Sequence, residues 1–142
     1  MSIHFTKSLA ICAFVAVVML GRVTSGHAEE VAETLSGTQE TPPITTQASG
    51  KAKFSITADR SISGTVEISG MQGTSAHIHI GAPGQSGPAI ITLVKHAKDS
   101  WVVPRNAALT EDRYASFKAG NLYVSVESAE HTSGEIRGQI KR

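Results

Sequence analysis

Thiol chemistry is almost absent from this sequence. Its one cysteine, Cys12, lies inside the apolar segment Leu9–Leu20. Disulfides, thiolate catalysis and cysteine-based zinc sites are thereby excluded from everything that follows that segment. A membrane-spanning run is lacking too. Leu9–Leu20 (LAICAFVAVVML) is about a dozen residues long, where a spanning helix needs about 20, and no second such run follows. Charge of one sign does not dominate either. The chain has 13 Lys and Arg against 12 Asp and Glu, and so lacks the basic face that a nucleic-acid partner demands. No Gly-x-Ser-x-Gly elbow marks a hydrolase nucleophile. The glycines of Gly81–Gly87 do not precede a helix, as a phosphate-binding loop requires. Internal repeats, low-complexity tracts and domain linkers are likewise missing.

The amino terminus carries the pattern of a secretory signal. Lys7 provides the positive start and Leu9–Leu20 the apolar centre. Thr24-Ser25-Gly26-His27-Ala28 then offers the small side chains a signal peptidase needs, with cleavage expected after Ala28. Ile11 is bulky and the apolar run continues past Cys12, against a lipid anchor at that cysteine. The reading is a signal peptide over residues 1–28 and a single exported domain over residues 29–142, periplasmic or secreted. Lys7 and Arg22 leave with the signal, and the mature chain stays close to neutral and is expected to be soluble.

What is abundant is period-2 alternation between clusters of Gly, Pro, Ser and Asn, the signature of an all-β domain. Ala52, Phe54 and Ile56 alternate with Lys51, Lys53 and Ser55. After a turn at Asp59-Arg60, Ile62, Val66 and Ile68 alternate with Ser63, Thr65 and Glu67, predicting a hairpin with one buried face per strand. Ala76, Ile78 and Ile80 form the next apolar set, with Ser75, His77 and His79 on the opposite face. Gly81–Pro88 is a loop by composition. Ala89–Val94 (AIITLV) predicts a strand buried on both faces, and Trp101–Val103 a short strand ending at Pro104. One helix is expected, Glu111–Ala119, capped by Thr110 and closed by Gly120. Leu122–Glu127 and Glu135–Ile140 predict the closing strands, joined by a turn around Thr132-Ser133-Gly134. Glu29–Glu33, polar and terminal, reads as a loose end. Seven or so short strands fit a sandwich or small barrel.

Four stretches, in order, resemble one family: Leu35–Pro43 (LSGTQETPP); Ala76-His77-Ile78-His79 with Gly81–Gly84 and Gly87-Pro88; Ala119–Val124 (AGNLYV); and Gly134–Gln139 (GEIRGQ). Together they resemble the CHRD domain, known from chordin and from exported bacterial proteins, over roughly Val31–Lys141. The resemblance implies an immunoglobulin-like or superoxide-dismutase-like antiparallel β-sandwich in an extracytoplasmic setting. It implies little about activity, because fold analogy does not supply chemistry. Where the family usually reads Tyr-Val-Asn-Val-His, this chain has Tyr123-Val124-Ser125-Val126-Glu127. A histidine is replaced by a carboxylate.

His77 and His79 are the leading candidates for chemistry. Residues two apart on a strand project from the same face, about 7 Å apart at the backbone, so both imidazoles can converge on one ion. The same pair also fits an ordinary exposed strand face. A third ligand is needed: Glu127, if its strand neighbours that of the histidines, or His131 from the following loop. His96 reads as a strand-end surface residue. Imidazole ligands suit copper, zinc or nickel, and copper is the preferred expectation, with zinc as the alternative. Met71 could add a thioether to Cu(I), but reads as a packing residue. Glu135 and Arg137 share a face and are expected to form an ion pair. Three functions follow: a protein that binds, stores or delivers a metal; a metal-independent module that binds another extracytoplasmic protein; and a copper-dependent oxidoreductase.

Overall fold

The computed structural model describes residues 26–142. The expected signal peptide, apart from Gly26, His27 and Ala28, lies outside the described residues. Nine strands and one helix make up the rest. In chain order they are β1 (Glu29–Ser36), β2 (Ser49–Ile56), β3 (Ile62–Ser69), β4 (Gly73–Ile80), β5 (Ala89–Thr92), β6 (Val94–Ala97), β7 (Ser100–Val102), α1 (Glu111–Lys118), β8 (Leu122–Ser128) and β9 (Ile136–Ile140). The all-β class with one connecting helix is as the alternation predicts.

All strand pairs are antiparallel, in the order β5-β4-β8-β9-β1-β2-β3-β7-β6. The two ends of that order are consecutive in the chain. Only Leu93 separates β5 from β6, and its N–H donates to the Ala76 carbonyl at 2.9 Å. The sheet therefore curls until its two edges meet at one residue, and both halves face a single core. That core includes Leu35, Phe54, Val66, Ile78, Trp101, Phe117, Val124 and Ile136.

Several expectations need correction. Glu29–Glu33 is not a loose end: it is the first part of β1, paired with β2 from Glu29↔Ile56 onward, with Val31 buried. The backbone ladder holds a polar stretch that composition alone reads as frayed. Ala89–Val94 is not one strand buried on both faces. The chain breaks at Leu93, β5 is half-buried at most, and Val94 is 51% exposed. An apolar run there serves a crossing between sheet edges, where Leu93 alone is buried and Ile90 and Ile91 pack against the core only in part.

The helix follows its expected caps. Thr110 accepts from the Arg113 N–H. At the other end Gly120, at φ 77°, permits the Gly120 N–H to reach Phe117 O and the Asn121 N–H to reach Ser116 O, the reciprocal pair of a Schellman closure. This sharp stop delivers the chain directly into β8.

Candidate metal centre

β4 and β8 are neighbours, as the third-ligand reading requires. Their register sets Ser75 opposite Glu127, His77 opposite Ser125, and His79 opposite Tyr123. Strand side chains alternate between faces. Ala76, Ile78, Val124 and Val126 therefore turn inward, each fully buried. The six polar residues share the other face. The face is not an open one: Tyr123, Ser125, Glu127, Arg137 and Gln139 are all buried. The Gly81–Pro88 loop and the segment around Glu40 pack over it.

Glu127 sits at the meeting point. Its Oε1 accepts from His77 Nδ1 at 2.9 Å, and its Oε2 accepts from Ser75 Oγ at 2.9 Å. His79 is oriented differently. Its Nδ1 lies 2.9 Å from the Gly87 carbonyl. A carbonyl only accepts, so Nδ1 must carry the proton and Nε2 the lone pair. That Nε2 is 4.0 Å from Glu127 Oε1. It is the buried side-chain nitrogen or oxygen that, among the described residues, has no hydrogen-bond partner. Burial pushes the His79 imidazole below its usual range, outweighing the opposing pull of the Gly87 bond and of Glu127. The ring is therefore neutral at pH 7, the form that ligates metals.

One ligand atom from each of His77, His79 and Glu127 lies within 4.8 Å of the other two. Two bonds of 2.0–2.1 Å at a tetrahedral angle span about 3.3 Å. Small side-chain shifts, with loss of the His77 Nδ1 proton, would bring this group to that size.

The other sequence candidates lie elsewhere. His131 is in the turn after β8, where its backbone carbonyl accepts from Ser128 and Gly134, and it is not in the three-residue group. His96 is exposed on β6. Met71 packs against the core. The expected Glu135–Arg137 ion pair is not made. Glu135 accepts from Thr46 at 2.6 Å, whereas Arg137 donates to Gln85 O, Ala82 O and Gln139 Oε1. The two strand neighbours diverge because one meets the 44–48 segment and the other the loop.

Four participants escaped the sequence reading. Tyr123 stacks on His79 with ring centroids 4.7 Å apart and planes 6° off parallel. The Arg137 guanidinium lies 3.5 Å over the Tyr123 ring. Gln139 Nε2 ties Gly81 O to Gly120 O, and Glu40 accepts from Ser125 Oγ at 2.9 Å. A signal for all four was present: Arg137 and Gln139 lie in the Gly134–Gln139 block, Tyr123 in Ala119–Val124 and Glu40 in Leu35–Pro43.

The model of the CHRD domain family matches residues 31–140. The chain belongs to the CHRD domain family. No match was found among curated proteins or among solved structures. The CHRD match runs from within β1 to the end of β9, so the three-residue group and its surrounding loop are both part of the domain. No helix among the described residues is long and apolar enough to cross a membrane.

Proposed function

We propose that this CHRD domain is exported and binds a transition-metal ion through His77, His79 and Glu127, in a binding, storage or delivery role. Copper is the first expectation and zinc the second. The observation that carries this reading is His79 Nε2, a buried lone pair without a partner, aimed toward a carboxylate oxygen 4.0 Å away. A buried acceptor left unsatisfied costs about 1–3 kcal/mol, and an ion would relieve that cost. Charge supports the same conclusion. Glu127 is buried with no Lys or Arg salt-bridge partner among the described residues, only His77 and His79, and buried charge is ordinarily paired or metal-bound.

The donor set is two imidazole nitrogens and one carboxylate oxygen, with neither thiolate nor thioether. Such donors favour Cu(II) and Zn(II) over Cu(I). In this reading Glu127, not His131, is the third ligand. Export is supported by Lys7 and the apolar Leu9–Leu20 segment, and by β1, whose first residue, Glu29, directly follows the expected cleavage position.

The test is calorimetric titration of residues 29–142, which contain every described strand, with Cu(II), Cu(I) and Zn(II). Wild type should bind one divalent ion per chain. The His77→Ala/His79→Ala double variant should lose binding while retaining its β-sheet circular dichroism. Equal affinity in the two proteins would overturn the proposal and redirect attention to protein partners.

A further inference from the structure

The Gly81–Pro88 loop leaves β4 after Ile80 and crosses the buried polar face of β8 and β9. It has few side chains with which to hold itself there. The body of the domain holds it instead, through the loop's own backbone. Arg137 donates to Gln85 O at 2.8 Å and to Ala82 O at 3.0 Å. Gln139 donates to Gly81 O at 2.8 Å. The Gly87 N–H donates to Tyr123 Oη at 3.0 Å. The loop ends pressed against β4: a Cβ on Gly87 would stand 1.7 Å from Ile80 O. Gly87 then presents the carbonyl that accepts from His79 Nδ1.

Arg137 reaches His79 by two routes. One runs through the loop to the Gly87 carbonyl. The other runs through Tyr123, which has the guanidinium 3.5 Å from its ring and the imidazole stacked at 4.7 Å. A guanidinium that is 1% exposed is costly to bury unless its donors are used. Here two of its hydrogen bonds go to the segment that sets the state of His79 and a third to Gln139 Oε1, whose amide holds the same loop at Gly81 O.

We infer that Arg137 is a positioning residue for the His77–His79–Glu127 centre. It clamps the Gly81–Pro88 loop and braces Tyr123, so that His79 keeps its proton on Nδ1 and offers Nε2 to the ion. The inference rests on the metal reading for its purpose, but the tautomer it describes belongs to the metal-free protein. Which nitrogen of a ligating histidine is free is set by the bond its other nitrogen makes. With the clamp released, Gly87 O would drift from Nδ1 and the ring would populate the Nε2–H form, which cannot ligate through Nε2.

The experiment is ¹⁵N NMR of the histidine ring nitrogens in metal-free protein, followed by Zn(II) titration of the same samples. Two variants are compared with wild type. Arg137→Lys keeps the charge but loses the planar fork and the stack. Tyr123→Phe keeps the ring and loses the hydroxyl bond to Gly87, and carries the test if the lysine variant does not fold. Wild type should show a protonated Nδ1 and a bare Nε2 on His79. The variants should show growth of the Nε2–H form, and Zn(II) affinity about 10–100-fold weaker. An unchanged His79 spectrum in the folded variants overturns the inference, whether or not affinity falls. Unchanged affinity despite a shifted tautomer overturns it too. Failure of wild type to bind any metal ion would instead sink the metal reading, with the clamp judged on the spectrum alone.

Discussion

Ser75 Oγ donates to Glu127 Oε2 at 2.9 Å, directly across the β4–β8 ladder. This bond turns the carboxylate so that its other oxygen faces the two histidines. Groups that orient a ligand typically contribute about 10–100-fold to metal affinity. Ser75→Ala is expected to weaken Zn(II) binding by about that factor, and Glu127→Gln, which removes the charge itself, by more. Calorimetry on the two variants checks the order. A Ser75→Ala protein that binds as tightly as wild type would show that the carboxylate is held by other means.

The proposed metal centre should also be visible as stability. An ion that binds only the folded state adds about 2.7 kcal/mol when present at 100 times its dissociation constant. Thermal melts with and without Zn(II) should separate for wild type and coincide for His77→Ala/His79→Ala, and a chelator should collapse the separation. The effect should fade in acid, because the imidazoles must be deprotonated to bind.

Glu40 makes a prediction of opposite character. Burial holds its carboxyl above the usual glutamate range, aided by the nearby Glu127 charge and opposed by the Ser125 bond and by Arg137. The folded state thus holds this proton more tightly than the unfolded chain does. Its contribution is complete below the ordinary glutamate range and is lost as pH rises through the raised folded value. Glu40→Gln should therefore stabilise the metal-free protein at neutral pH relative to wild type, and less so in acid. Urea unfolding of both proteins at about pH 4 and pH 7 measures the difference; a gap that does not widen with pH would rule out this origin.

Leu93 joins the two edges of the sheet and is 5% exposed. Its truncation in Leu93→Ala should cost about 2–5 kcal/mol, although Val94 beside it, an equally apolar residue in the sequence, should tolerate alanine. Denaturant midpoints for the two variants decide the point. Similar losses at both positions would mean that the run is buried as a unit after all.

Thr110→Ala removes the oxygen that accepts from the Arg113 N–H. The expected cost is about 1 kcal/mol. Zn(II) affinity should not change, because the hydrogen bonds that orient His77, His79 and Glu127 come from Ser75, Gly87 and one another, not from α1.

Most of the strands were legible from alternation. Phe54, Ile56, Val66, Ile78 and Val124 lie on the faces their spacing predicts, because a half-buried strand writes its two environments into every second residue. The helix was legible from Thr110 and Gly120, since capping is local chemistry. The break at Leu93 was not, because the same apolar letters serve a doubly buried strand and a crossing between sheet edges. Ordered pairing of Glu29–Glu33 was hidden for a related reason: a backbone ladder stabilises a strand without marking its side chains.

By itself the sequence determined that the domain is all-β, that no cysteine follows Cys12, and that His77 and His79 share a strand face. Pairing belongs to the tertiary structure. Only the β4–β8 register could bring Glu127, fifty residues from His77, within hydrogen-bond distance of it rather than His131. Only the folded Gly81–Pro88 loop could bury that polar face and leave His79 Nε2 without a partner. Spacing along a chain sets which way a side chain points; what it meets there depends on segments that are distant in sequence, and no local pattern records them.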